Sequence, residues 1–165
     1  MSGLKRVAFA AVVAMAAMPA LAAPMSTAEY LAKAGASDLF ERESAEVVLD
    51  GTKNKEVGTF AQMMLADHAQ STQLVMQAAA QSGFHPLPPS LSAKQLRMLA
   101  DLKDAKGEHR DAVYIEQQRD VHDEALKLQQ DYALGGGVPA VKAAAARIVP
   151  VVQQHITLLQ AMPVM

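Results

Sequence analysis

Residues 55–82 read KEVGTFAQMMLADHAQSTQLVMQAAAQS. No part of this stretch alternates with period two, and good helix formers dominate it. On a wheel at about 100° per residue, Val57, Ala61, Met64 and Val75 fall on one stripe with His68 at its centre. A helix of this length with one apolar stripe must bury it against other helices. The flanks agree. Gly51-Thr52-Lys53-Asn54 forms a turn on one side, and Gly83-Phe84-His85-Pro86-Leu87-Pro88-Pro89 is a loop no helix crosses.

Working outward, the spacing predicts a first helix over about Thr27 to Asp50 and a short one from near Ser92, where Ser92-Ala93-Lys94-Gln95 fits a capping box. A long helix follows over about Glu108 to Leu134, beyond the break at Gly107, and ends at Gly135-Gly136-Gly137. The last runs from about Pro139 to Met162, with Pro139 suited to a first turn and Pro150 expected to kink it. The prediction is all-α: a four-helix bundle plus a short connecting helix.

Each long helix carries a polar side chain on or beside its apolar stripe. Tyr30, Ala34, Ala45 and Val48 flank Glu41, while Glu43 and Glu46 point elsewhere. Val141, Ile148, Val152, Leu159 and Met162 flank His155. Tyr114, Val121, Ala125, Leu128 and Tyr132 define the apolar side of the fourth helix, with His122 and Ile115 at its edge. Glu41 lies 10 residues before the first turn and His68 14 beyond it, so the two stand within about one turn in depth. His122 and His155, 13 and 18 residues from the Gly run, match less closely. A lone buried carboxylate is costly without a partner. Glu41, His68, His122 and His155 are therefore the candidate ligands of a transition metal: Fe, Zn, Mn or Cu. The competing reading is a buried hydrogen-bond network without metal. No cofactor other than a metal is expected, and no catalytic residue is assigned.

Composition excludes other chemistries. Of 165 residues, 15 are basic and 17 acidic, and Cys is absent. A formal charge of −2 argues against nucleic acid as a partner, and the lack of Cys removes disulfides, thiolate metal sites and thiol nucleophiles. Ser44 and Ser71 lack a nucleophile-elbow context, and no Gly-rich phosphate loop occurs. Met64 one turn before His68 reads as core filler ahead of a Cu(I) ligand. His85 and His109 are expected in solvent, as is the mixed charge run from Asp101 to Arg110.

Lys5 and Arg6, the uncharged run Val7 to Met18, and Pro19-Ala20-Leu21-Ala22 form a secretory leader, with cleavage expected after Ala22. Residues 1–22 are then the signal peptide and 23–165 the bundle domain. Removing 22 of 165 residues leaves 143 and, with Lys5 and Arg6 gone, moves the formal charge from −2 to −4. The mature chain has no stretch able to span a bilayer. The leader predicts a periplasmic or secreted protein.

Tyr30-Leu31-Ala32-Lys33-Ala34 followed by Glu41, and Phe60 to Asp67-His68, resemble the secreted bacterial proteins called domain of unknown function 4142. So do Tyr114 eight residues before His122, and Pro150 followed by Gln154-His155. The resemblance runs from about Tyr30 to Ala161. It implies a ferritin-like bundle in the periplasm or at the outer membrane, and no established reaction. It also implies that Glu41, Asp67, His68, His122 and His155 are motif positions, and that Val121 stands where the family has an Asp. The Glu-x-x-His pairs of di-iron bundles are missing, since Leu65, Arg119 and Val152 precede the three His by three residues. Three functions follow as expectations: an accessory or stress-related metal-binding protein, a metal-dependent oxidoreductase, or a purely structural bundle. A protein partner is not identified, and a homodimer is left open.

Overall fold

The computed structural model describes residues 25–163. The leader expected at 1–22 and its cleavage point lie outside the described residues. Within them are five helices and no strands: α1 (Thr27–Leu49), α2 (Lys55–Gln81), α3 (Ala93–Asp104), α4 (Gly107–Gly135) and α5 (Pro139–Ala161).

The boundaries follow from local chemistry. Ser26 and Asn54 cap α1 and α2 by accepting from backbone N–H groups of the first turn. Ser92 and Gln95 close the anticipated capping box on α3. Gly107, at φ +58°, supplies the left-handed residue that lets α4 begin two residues after α3 stops. Arg110 then donates to the carbonyls of Ala105, Lys103 and Val47, tying the ends of α1 and α3 to the start of α4. Arg119 does the same for α5, donating to the carbonyls of Leu159 and Met162. Helix α5 continues through Pro150, which is exposed, so the carbonyl of Ala146 that loses its bond is open to water.

Helices α1 and α2 form one antiparallel hairpin, α4 and α5 a second. Tyr30 reaches Gln129 while Val47 meets Arg110, so α1 and α4 are antiparallel neighbours. Asp67 reaches His155, placing α2 beside α5. Consequently α2 and α4 run the same way on one diagonal. The chain must return the length of the bundle between them, and α3 lies in that crossover, packed on α1 and α4.

Two apolar clusters fill the interior. One, around Tyr30, Ala79, Tyr132, Val141 and Ala145, occupies one end. The other, around Val57, Phe60, Met64, Tyr114 and Leu159, occupies the opposite end. A smaller cluster of Phe40, Leu99 and Val121 sits under α3. The histidines belong to none of these; they form a polar layer between the two main clusters. In the first cluster the Tyr30 and Tyr132 rings stack with centroids 4.0 Å apart, and their hydroxyls donate to Gln129 and Thr27.

Gly136 depends on this stack. A Cβ there would lie 2.6 Å from the Tyr132 carbonyl oxygen and 2.7 Å from its ring, which Tyr30 prevents from retreating. Its φ of −62° suits any residue, so the constraint is space alone. Gly136→Ala is expected to destabilise the protein by about 1–3 kcal/mol. The urea midpoint should fall accordingly; an unchanged midpoint would contradict the packing described.

Candidate metal centre

Helices α2, α4 and α5 bring His68, His122 and His155 to one buried spot. One ring nitrogen from each lies within 4.8 Å of the others. His122, expected at the edge of its stripe, is instead fully buried. Its ring faces α2 and α5, with centroids 5.9 Å from that of His68 and 5.3 Å from that of His155, so the buried face of α4 is centred near Gln118 and His122 rather than on Val121. The less favourable depth match of His122 and His155 is also overcome, since Nε2 of one is 3.3 Å from Nδ1 of the other.

The outer nitrogen of every ring is engaged. His68 Nδ1 donates to Asp38 Oδ1 at 2.9 Å, and Thr72 donates to the other Asp38 oxygen. His155 Nε2 donates to Asp67 Oδ2 at 2.9 Å. His122 Nδ1 donates to the Gln118 carbonyl at 2.8 Å. Carboxylates and carbonyls accept, so these partners fix the proton of each neutral ring on its outer nitrogen. The inward atoms are then His68 Nε2, His122 Nε2 and His155 Nδ1, all bearing lone pairs. His68 Nε2 is buried and has no hydrogen-bond partner. Two further lone pairs face each other across the 3.3 Å contact. With the rings neutral, the site offers acceptors and no donor, which suits a cation.

Electrostatics keep His122 neutral. Burial, with the charges of His68 and His155, lowers its pKa to about 3. Burial likewise brings His155 down, against its bond to Asp67. Burial works to lower His68 too, but the bond to Asp38 and the charges of Glu41, Asp38 and Asp67 outweigh it and raise the ring's pKa. Phe60 closes the apolar side, its centroid 6.3 Å from those of His122 and His155.

Glu41 lies outside the set of inward nitrogens. Its Oε1 is 3.7 Å from His122 Nδ1, the outer nitrogen of that ring. Both carboxylate oxygens are buried without a partner, as are the Tyr114 hydroxyl and Gln118 Oε1. Gln118 spends its amide on Ser44, whose hydroxyl donates to the Glu41 carbonyl. Burial pushes the Glu41 carboxyl up to about 7, against the pull of His68 and Gln118. Burial and the charge of Glu41 also raise the Tyr114 hydroxyl well above its ordinary value.

Sequence reasoning placed the three rings in or beside the interior and flagged Asp67, though without its partner. It missed Asp38 and Gln118. Asp38 lies one turn before Glu41 on the same face, between Ala34 and Ala45, and that spacing alone could have found it. Met64 is buried in the apolar cluster at one end, and His85 and His109 are exposed, as expected.

The family model described as Domain of unknown function (DUF4142) matches residues 11–162. Among solved structures, a DUF305 protein from Streptomyces coelicolor, described as secreted, is similar in fold at 15% identity. Its TM-score is 0.65, over 81% of this chain and 88% of that one. No match is found among curated proteins. Among the described residues, no helix is long and apolar enough to cross a membrane.

Proposed function

The chain belongs to the family of domain of unknown function 4142, and from that premise we propose that it is an exported envelope protein whose bundle holds one divalent transition-metal ion. His68 Nε2, His122 Nε2 and His155 Nδ1 are the proposed ligands, with Glu41 as the buried negative charge that balances the ion or joins it. The observation carrying this reading is the convergence of three buried ring nitrogens on one spot, each ring tied through its outer nitrogen to an acceptor. Metal-ligating imidazoles characteristically give their other N–H to a carboxylate or carbonyl, and all three rings do so here. Two imidazole ligands of a tetrahedral ion stand about 3.4 Å apart. His122 and His155 already have nearly that separation.

Nitrogen donors of this kind favour Zn, Cu and Fe; Mn, which prefers oxygen, depends on Glu41. Export is supported by the leader-like residues 1–22 and by the secreted DUF305 neighbour of similar fold. The single long crossover is of the type ferritin-like bundles carry. The missing Glu-x-x-His pairs favour a single ion over a di-iron centre.

The test is a titration of chelator-treated protein with Co²⁺, followed by visible absorption and by metal analysis after desalting. One equivalent per chain, lost in His68→Leu, is the expected result. No retained metal would leave the buried hydrogen-bond network as the better account. Affinity should also depend on pH in a defined way. His122 already lacks a proton down to about pH 3, so His68, with its raised pKa, supplies the proton that competes with metal. As pH falls below the raised pKa of His68, affinity is expected to fall roughly tenfold per unit, as one proton is displaced per ion. A flat profile between pH 5 and 6 would count against His68 as a ligand.

A further inference from the structure

The three outer partners differ in their access to water. The Gln118 carbonyl belongs to a fully buried residue. Asp38, with a side chain 8% exposed, has its two oxygens occupied by His68 and Thr72. Asp67 is 32% exposed, although the His155 ring it holds is only 2% exposed. Asp67 also lines a groove of about 380 Å³ between α2 and α5, together with Gln70, Ser71, Arg147 and Val151. One line of contact therefore leads from the surface to the centre: groove, Asp67, His155, inward nitrogens.

We infer that this groove is the port of the site, where Asp67 captures a hydrated divalent cation and passes it to the His155 ring. This rests on the metal reading above. A partly exposed carboxylate keeps enough hydration to exchange its hydrogen bond with imidazole for a cation at little cost. A turn of the His155 ring about Cβ–Cγ presents the Nδ1 lone pair to the ion at Asp67, and the return turn carries the Nδ1-bound ion to the interior while Nε2–H, its proton kept throughout, re-forms its bond to Asp67. Arg147, exposed on the same groove, holds down the local concentration of cations at the mouth. It touches none of the proposed ligands, so its charge tunes the rate of entry without being part of the centre.

The experiment is rapid mixing of chelator-stripped full-length protein with Co²⁺, with loading followed by visible absorbance at low and at high salt. Arg147→Glu should load about tenfold faster than wild type at low ionic strength, and the gain should vanish at about 0.5 M salt. Asp67→Asn should load at least tenfold more slowly, yet reach the wild-type spectrum at saturating Co²⁺. Wild-type loading rates in both variants would overturn the port while leaving the centre intact. If Asp67→Asn takes up no cobalt, Arg147→Glu decides the matter alone, and an unchanged rate there overturns the port. No cobalt uptake by the wild type at equilibrium would overturn both the centre and its port.

Discussion

Zn²⁺ at about a thousandfold over its dissociation constant is expected to raise the melting temperature of chelator-stripped protein by roughly 12–15 °C, and His68→Leu to abolish the shift. An ion that binds only the folded chain stabilises it by RT ln(1 + [L]/Kd), about 4 kcal/mol at that excess. For a domain of this size, each kcal/mol moves the melting point by about 3–4 °C. The Leu variant separates binding from folding. Removing one partner of a buried pair costs stability, but Asp38 keeps its bond from Thr72, and the clusters around Tyr30 and Phe60 remain above and below the layer. His68→Leu should thus melt below the metal-free wild type, because Asp38 loses its buried partner, and ignore Zn²⁺. A variant that still responded would exclude His68 from the centre. An unresponsive wild type would exclude the centre altogether.

Glu41→Gln is expected to stabilise the metal-free protein at pH 8 and to leave it nearly unchanged at pH 4. The sign follows from the direction of the shift. Burial raises the Glu41 carboxyl from 4.5 to about 7, so the folded chain holds this proton more tightly than the unfolded one. The associated stability is fully present below pH 4.5 and is lost as pH climbs through 7. Above that, the folded state carries a desolvated carboxylate with no hydrogen-bond partner. The shift corresponds to about 3 kcal/mol, or roughly 10 °C in melting temperature. Glutamine removes the charge while keeping the shape. Once a cation neutralises the layer, that advantage should shrink or reverse. Melting curves at both pH values, with and without Zn²⁺, read this directly. Equal stability of the two proteins at pH 8 without metal would mean that Glu41 is not the burden its burial implies.

Why was so much of the bundle legible? Turns at Gly51, Gly83 and Gly135 are written in residues that interrupt helices, and stripes such as Val57-Ala61-Met64 are periodic without interruption. The rings at 68 and 155 were found because each breaks an apolar stripe. Gln118 and Asp111 were not, because the buried face of α4 is polar along its centre, where Asp111, Gln118, His122 and Gln129 line up, and so does not read as an apolar stripe. Asp67 illustrates a different limit. Its place in the chain marks it, but its partner lies 88 residues away on α5, and no periodicity within one helix encodes a contact with another.

The distribution of the three rings between the hairpins has a consequence for assembly. His68 comes from the first hairpin, His122 and His155 from the second. Neither half-molecule alone owns the full set, so a cation seated there clasps the early-made half of the chain to the late-made half. Bound metal would thus be a certificate of completed assembly, withheld from any folding intermediate in which the two halves have yet to meet.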